Sequence, residues 1–206
     1  MQRAVSFAAL LAVLFVLAGP APAEKKKPSL IDVAVAKAFP GAKVERVCMR
    51  LSETELEKVG KLASQRPPKK STTFAYVARK EGKVVGTAFF DSHIVRTKRE
   101  TLMVVVTPAG KVAGVETIVF QEPPEWLAQD TFYESLPGRG QGRALILGRG
   151  LDGTTGATLT CRAVADASRR VLALHEVGGE RVGRVPPAPK KDREKPRRDA
   201  AEGPPD

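Results

Sequence analysis

Hydrophobic positions near residue 30 recur at helical spacing. Ile31, Val35 and Phe39 lie four residues apart and share one face of a helix, so the spacing predicts a helix over residues 29–39. Pro40-Gly41 follows, and these residues stop a helix. Residues 43–51 then read as a strand. The patterned part of the chain therefore begins with one helix and one strand.

A capping box marks the start of a second helix. Ser52 is followed three residues later by Glu55, the arrangement in which each side chain satisfies a backbone N–H of the first turn. The pattern predicts a helix from Ser52 to about Leu62. Residues 65–70, which contain two prolines and two lysines, are predicted as a loop.

Four runs rich in β-branched and aromatic residues come next, in two pairs that are each joined by a short turn. Such pairs predict β-hairpins, so four antiparallel strands in succession are expected. The runs are residues 72–79 and 84–91, joined by 80–83, and residues 101–107 and 111–120, joined by 108–110.

Helical spacing returns in the second half of the chain. Trp126, Leu127, Phe132 and Leu136 predict a helix over residues 125–136. The glycine-rich residues 138–142 are predicted as a flexible connector, because no strand precedes them and no helix follows at once, as a dinucleotide loop would require. A short strand over 144–147 and a long helix over 160–176, ended by Gly178-Gly179, complete the pattern.

Strands with helices before and after them predict an α+β fold. We expect a twisted, mainly antiparallel sheet flanked by helices, with one face of the sheet covered. A single domain over residues 28–183 is long enough to bury one core of ordinary size.

The two ends of the chain have a different composition. Residues 1–23 contain Arg3, an apolar stretch of about a dozen residues and Ala21-Pro22-Ala23, which predicts a cleavable secretory signal peptide. The expected location is therefore extracytoplasmic, and periplasmic in a bacterium with an outer membrane. Residues 184–206 are rich in proline and charge and are predicted to be a disordered tail.

Charge and cysteine content narrow the function classes. The formal net charge is +11, which favours acidic partners or simply a well-solvated surface. Aromatic residues make up 5% of the chain and no nucleic-acid-binding module is recognisable, so nucleic acid is not expected as a partner. Cys48 and Cys161 lack any Cys-x-x-Cys spacing. They either form a disulfide or remain free, with Cys161 on the inward face of the last helix.

The residues for hydrolytic or metal chemistry are missing from the sequence. His93 and His175 are the two histidines, and neither a Gly-x-Ser-x-Gly elbow nor paired metal ligands occur. His175 falls on the apolar face of the last predicted helix and is expected to pack in the core. No catalytic or metal-binding residue is therefore assigned.

The segment from Asp152 to Thr158 lies at the start of that helix. The unpaired N–H groups of a first helical turn and the positive end of the helix dipole favour an anion such as a phosphate, and Gly156 and Ala157 would allow it close to the backbone. An ordinary loop in which Thr158 or Thr160 caps the helix would explain the same residues.

The pattern Asp152-x-x-Thr155-Gly156-Ala157-Thr158, followed by Leu159 and Thr160, resembles the flavinylation motif of the FMN-binding domain family, which includes subunits of sodium-pumping and ferredoxin-linked respiratory complexes. The resemblance extends over about residues 72–176, with less specific matches at 93–96, 100–106 and 121–126. The larger subunits carry Glu-Thr-Pro-Gly-Leu-Gly near this chain's residues 122–127, so their flavin contacts do not transfer directly. The chain resembles a small stand-alone member.

The resemblance implies that FMN is joined to Thr158 through a phosphoester bond made by an FAD:protein FMN transferase. Asp152, Thr155, Gly156, Ala157, Leu159 and Thr160 would form the surrounding site, with Asp152 orienting the loop or assisting recognition by the transferase. Arg96, Glu122 and Trp126 are further candidates for the flavin pocket. Their ordinary roles would be a surface arginine, a helix-entry acid and a core tryptophan.

The function implied is that of an exported electron-transfer flavoprotein with redox partner proteins, some of them in the membrane. Two alternatives remain open. The protein is either a flavin-dependent reductase of a small substrate, or a binding or assembly protein of the same fold that carries no flavin.

Overall fold

The computed structural model describes residues 27–184. The predicted signal peptide over 1–23 and the predicted tail, from residue 185 onward, lie outside the described residues. Within residues 27–184, none of the helices combines the length and the apolar character needed to cross a bilayer.

Five strands form one antiparallel sheet in which every strand pairs with its neighbours in the sequence. The order is β1-β2-β3-β4-β5; short turns join β2 to β3, β3 to β4 and β4 to β5, whereas α2 lies between β1 and β2. The strands are β1 (Lys43–Arg50), β2 (Thr72–Lys80), β3 (Lys83–Ile94), β4 (Arg99–Val106) and β5 (Val112–Phe120).

Within residues 27–184, four α-helices and three short 3₁₀ turns accompany the sheet. The α-helices are α1 (Leu30–Ala38), α2 (Glu53–Ala63), α3 (Asp130–Glu134) and α4 (Thr158–Gly178), and the 3₁₀ turns are Pro124–Trp126, Arg143–Leu145 and Gly179–Val182. The predicted α+β class is confirmed.

Helices cover both faces of the sheet, whereas the sequence predicted one covered face. On β3, Phe89 packs into a core with residues of α4, while the next residue toward the hairpin turn, Ala88, packs in a second cluster with α1. Successive strand residues point to opposite faces, so α4 lies on one face and α1 on the other. Ala34, Val35 and Phe39 are the buried residues through which α1 covers the second face.

The first two helices begin where the sequence placed them. The Ser52 hydroxyl accepts a hydrogen bond from the N–H of Glu55, and the Glu55 carboxylate accepts one from the N–H of Ser52. Ser29 and Asp32 form the same reciprocal box at the start of α1. Side-chain capping fixes both boundaries. The capping box predicted the start of α2, whereas the first helix was predicted from its apolar spacing.

The helix predicted over residues 125–136 is wrong. The segment consists of the Pro124–Trp126 turn and the five-residue α3, because Leu127 and Gln129 between them have extended backbone angles. Ala128, Phe132 and Leu136 are nevertheless buried. Of these three residues only Phe132 lies in α3, so apolar spacing that resembled one continuous helix arises from a segment with two short helical pieces.

The strand predicted over residues 144–147 is also wrong. Residues 143–145 form a 3₁₀ turn, and Leu147 makes only an isolated bridge to Leu151. A strand needs a neighbour to satisfy its backbone groups, and here the Arg139 guanidinium donates to the carbonyl of Ala144 instead. By contrast, the last helix is as predicted apart from its ends: α4 begins two residues earlier than expected, at Thr158.

Candidate functional site

The first turn of α4 offers unpaired backbone donors. Ala157 occupies the N-cap position and provides no side-chain acceptor, and the N–H of Cys161 donates to the Ala157 carbonyl at 2.9 Å. The N–H groups of Thr158, Leu159 and Thr160 have no acceptor among residues 27–184. These amides and the positive end of a 21-residue helix favour an anion at this position.

The loop before α4 leaves the hydroxyl of Thr158 accessible. Thr158 is exposed, as are Asp152, Thr155 and Gly156, whereas Ala157 is buried. Gly156 has φ +84°, a left-handed conformation that favours glycine. The turn at Gly156 therefore keeps Ala157 in the core and Thr158 at the surface. Neither Thr158 nor Thr160 acts as the N-cap.

Thr160 connects the start of α4 to the segment around Trp126. Its hydroxyl is buried and donates to the carbonyl oxygen of Trp126 at 2.5 Å. In a continuous helix that carbonyl would also accept from the N–H of Asp130, whereas here the chain leaves the helical conformation after Trp126. Two residues of the site that are far apart in the sequence are thus held together.

A second set of bonds fixes the motif loop. The N–H of Thr154 donates to the sulfur of Cys161 at 3.3 Å, and the hydroxyl of Thr154 accepts from the N–H of Gln129 at 3.3 Å. Cys161 is buried and Cys48 is exposed, and both are free thiols. The alternative of a disulfide between them is therefore wrong in this structure, and Cys161 instead supports the motif loop.

A cavity of about 420 Å³ opens beside the motif loop. Asp152 and Thr155 contribute to its wall, together with Arg139. The Arg139 guanidinium donates to the carbonyl oxygens of Ser135, Ala144 and Gly150, so it holds the glycine-rich connector around the cavity. Sequence reasoning missed Arg139, because its acceptors are backbone carbonyls that no motif identifies. The remaining wall residues are Gln129, Thr131, Phe132, Ser135, Gly153 and Thr154.

Glu122 binds the turn between β3 and β4. One oxygen of its carboxylate, Oε1, accepts from three successive backbone N–H groups, those of residues 96–98, at 2.7 to 3.1 Å. The hydrogen bonds from Thr97, Lys98 and Arg96 hold the pKa of Glu122 below its ordinary value. The other oxygen, Oε2, is buried and has no partner among the described residues.

Arg96 and Trp126 are in direct contact. The Arg96 guanidinium carbon lies 4.2 Å from the centroid of a Trp126 ring, a cation–π arrangement. Trp126 is half-buried and Arg96 is exposed. The structure therefore brings Arg96, Glu122 and Trp126 into one cluster, and Thr160 joins that cluster to the motif.

A charged network that the sequence did not reveal lies under α4. His93 contacts Asp91 through Nδ1 at 2.8 Å and Glu100 through Nε2 at 2.9 Å, and Arg170 of α4 binds both oxygens of Asp91. Asp91 and His93 are two residues apart on β3 and share a face, and Glu100 is the β4 partner of His93. The β3–β4 register, had it been predicted, would have shown this grouping.

The hydrogen bonds of the network set the protonation states of His93 and Asp91. Burial alone would lower the pKa of His93, but the hydrogen bonds to Asp91 and Glu100 outweigh it and raise the pKa to about 9. For Asp91, burial would raise the pKa, and the bonds from His93 and Arg170 lower it to about 2. A protonated His93 between two carboxyl groups therefore ties β3 and β4 to α4 at neutral pH.

His175 packs in the core, as the sequence predicted. Its side chain is fully buried beside Phe89 in a T-shaped ring arrangement, with ring centroids 6.4 Å apart. Burial, with a smaller contribution from the charge of Arg184, lowers the pKa of His175 to about 4. The imidazole is therefore neutral at pH 7.

The fold and the site together define a class of protein: an α+β domain whose long last helix presents an exposed threonine and unpaired amides at its first turn. Residues 98–173 match the family model of the FMN-binding domain. The match indicates FMN binding and confirms the family resemblance. It includes Glu122, Trp126 and the complete motif, whereas Arg96 precedes it. No curated protein matches the chain.

The residues present fit the FMN phosphate. Three unpartnered amides, a turn with Gly at positive φ and no competing capping side chain leave the start of α4 able to receive an anion. The buried, unpartnered Oε2 of Glu122 is a second acceptor that the fold leaves without a donor among the described residues.

Proposed function

We propose that the protein is an exported electron-transfer flavoprotein in which FMN is covalently attached to Thr158 through a phosphoester bond. The observation that carries the proposal is the position of Thr158 within the family match: an exposed hydroxyl on the first residue of α4, at the end of Asp152-Gly-Thr-Thr-Gly-Ala-Thr158. The predicted signal peptide supports export.

Attachment requires an FAD:protein FMN transferase as a partner. The Thr158 oxygen forms the new bond to the phosphorus of the FMN half of FAD, the pyrophosphate bond breaks, AMP leaves, and the hydroxyl proton passes to solvent. An enzyme must reach the hydroxyl for this reaction, and the exposure of Thr158 satisfies that requirement. The N–H groups at the start of α4 would stabilise the phosphoester charge.

FMN, once attached, supplies one- or two-electron transfer. The chain's own residues would fix where that chemistry occurs. Thr160 holds the Trp126 segment against α4, and Glu122 holds the turn that places Arg96 over Trp126. The cluster would form the polar and aromatic side of the flavin pocket, and the Arg96 charge would favour a reduced, anionic ring.

Covalent attachment has a physical rationale in an exported protein. A dissociable cofactor would be diluted outside the cytoplasm, whereas an ester bond prevents its loss. The electron donor and acceptor would be partner proteins, some of them membrane-bound, that approach the exposed motif.

The test is the intact mass and absorbance of full-length protein exported from cells that also produce the transferase. The wild type should be yellow and gain the mass of one FMN less one water. Thr158→Ala should lose both, and Thr158→Ser should regain the adduct because it keeps the hydroxyl. Thr54→Ala, which changes an exposed threonine of α2 outside the motif, is the control and should still receive FMN.

An adduct on Thr158→Ala would assign the attachment to another residue. A yellow protein without added mass would show bound but non-covalent flavin, and colourless wild type would favour a binding or assembly role. Turnover of a small acceptor without a protein partner would instead favour a reductase.

A further inference from the structure

Strands β2 and β3 separate at one end of the sheet. Ala75 and Phe89 form the last pair between them, so residues 72–74 pair only with β1 and residues 90–94 pair only with β4. The backbone of β3 beyond Phe89 therefore faces an opening on its β2 side. We call the opening between residues 72–74 and 90–93 the β2–β3 slot.

The slot is an open groove beside the unpaired side of β3. Its volume is about 620 Å³, and Arg170, Val171 and Leu174 of α4 line it together with both strands. Unpaired backbone N–H and C=O groups along a strand are a template for pairing with another extended chain. The geometry thus supplies hydrogen-bonding groups as well as space.

The charge of the slot is mainly positive. Arg46, Lys69 and Lys70 lie along it, and none of them forms an ion pair with any residue from 27 to 184. Asp91 is the acidic side chain of the wall, and Arg170 already neutralises it. The Arg46 guanidinium also lies 3.8 Å from the ring centroid of the exposed Phe74. An occupant should therefore carry negative charge.

We propose that the β2–β3 slot binds an extended acidic segment of a partner protein, which pairs with the open side of β3. Backbone pairing distinguishes such a segment from an anionic lipid surface or a nucleic acid, because only a peptide offers alternating N–H and C=O groups. The same strand leads into the turn that Glu122 holds beside Trp126. A partner bound in the slot would thus lie near the candidate flavin site.

Fluorescence anisotropy with a labelled peptide of about eight residues that alternates Thr and Glu tests the proposal on the full-length exported protein. Lys69→Glu with Lys70→Glu should weaken binding roughly tenfold or more at low salt. Lys80→Glu with Lys83→Glu changes the charge equally at exposed positions of the opposite end of the hairpin. This control should change affinity by less than about twofold.

The backbone contribution is measured separately. The same peptide with N-methyl groups on alternate residues cannot donate these hydrogen bonds and should bind roughly tenfold more weakly. Hydrogen exchange at amides within residues 90–94 should slow when the unmodified peptide binds. Equal binding of both peptides, or equal effects of the two lysine pairs, would overturn the proposal.

Anionic phospholipid vesicles and a single-stranded oligonucleotide provide the competing occupants. Tighter binding of either one, with the same dependence on Lys69 and Lys70, would also overturn the assignment to a peptide. Thr158→Ala should bind the peptide as the wild type does, because the slot does not involve that residue. The peptide-binding measurement can therefore be interpreted even if Thr158 does not receive FMN.

Discussion

His175 provides a quantitative test of the core, because it is a titratable group buried without polar partners. Both ring nitrogens lack a hydrogen bond within residues 27–184, and the side chain is 0% exposed. We predict that His175→Leu, which has no ionisable group, removes a pH-dependent part of the stability. At pH 7 the substitution should be neutral or stabilising, because it removes two unsatisfied polar atoms.

The sign and size follow from the pKa. Burial, aided by Arg184, lowers the pKa of His175 from 6.5 to about 4, so folding favours the neutral ring. The associated stability is fully present above about pH 6.5 and is lost as the pH falls toward 4. At 1.36 kcal/mol for each pH unit, the loss is roughly 3 kcal/mol.

The assay is urea unfolding of the wild type and His175→Leu at several pH values between about 7 and 4. The free-energy difference between the two proteins should shift by roughly 3 kcal/mol in favour of the variant on acidification. Asp91 and other carboxyl groups titrate in both proteins, so their effects cancel. A difference that stays constant within about 1 kcal/mol would refute the reasoning, and His175→Gln, which also does not titrate, should behave as the Leu variant does.

Two further predictions concern the supports of the candidate site. Thr160→Val keeps the side-chain shape but removes the bond to the Trp126 carbonyl, so the unfolding free energy should fall by about 1 to 3 kcal/mol; urea titration measures it, and no change would mean that the bond is not formed in solution. Glu122→Ala removes the acceptor of three amides, so hydrogen exchange at residues 96–98 should accelerate, while the exposed Glu125→Ala should leave it unchanged. Equal exchange rates in both glutamate variants would contradict the role of Glu122.

The sequence predicted the elements whose boundaries are set by near neighbours. Ser52 and Glu55 cap α2 three residues apart, and the hairpin of β2 and β3 closes through a turn at residues 81–82. The predictions from the sequence failed where the backbone conformation involves contacts with a segment far away in the chain. The helix expected over 125–136 is interrupted after Trp126, whose carbonyl accepts a hydrogen bond from Thr160, 34 residues away.

The candidate site divides in the same way. The motif ending in Thr158 and the helix after it could be predicted from the sequence, because glycine conformation and helical periodicity are local properties. Arg96, Glu122 and Trp126 were named from the sequence, but their mutual contacts were not. The network of Asp91, His93 and Glu100 depends on the register of β3 and β4, which the predicted strands were too short to give.

By itself, the amino-acid sequence determined the order of α1, α2, the five strands and α4, the α+β class and the threonine at the start of the last helix, because capping, turn formation and periodicity act over a few residues. The tertiary structure decided which face each helix covers, where the chain between β5 and α4 bends, and which side chains surround Thr158. These features depend on hydrogen bonds and packing between residues far apart in the chain, whose partners are defined only after the sheet and α4 have come together.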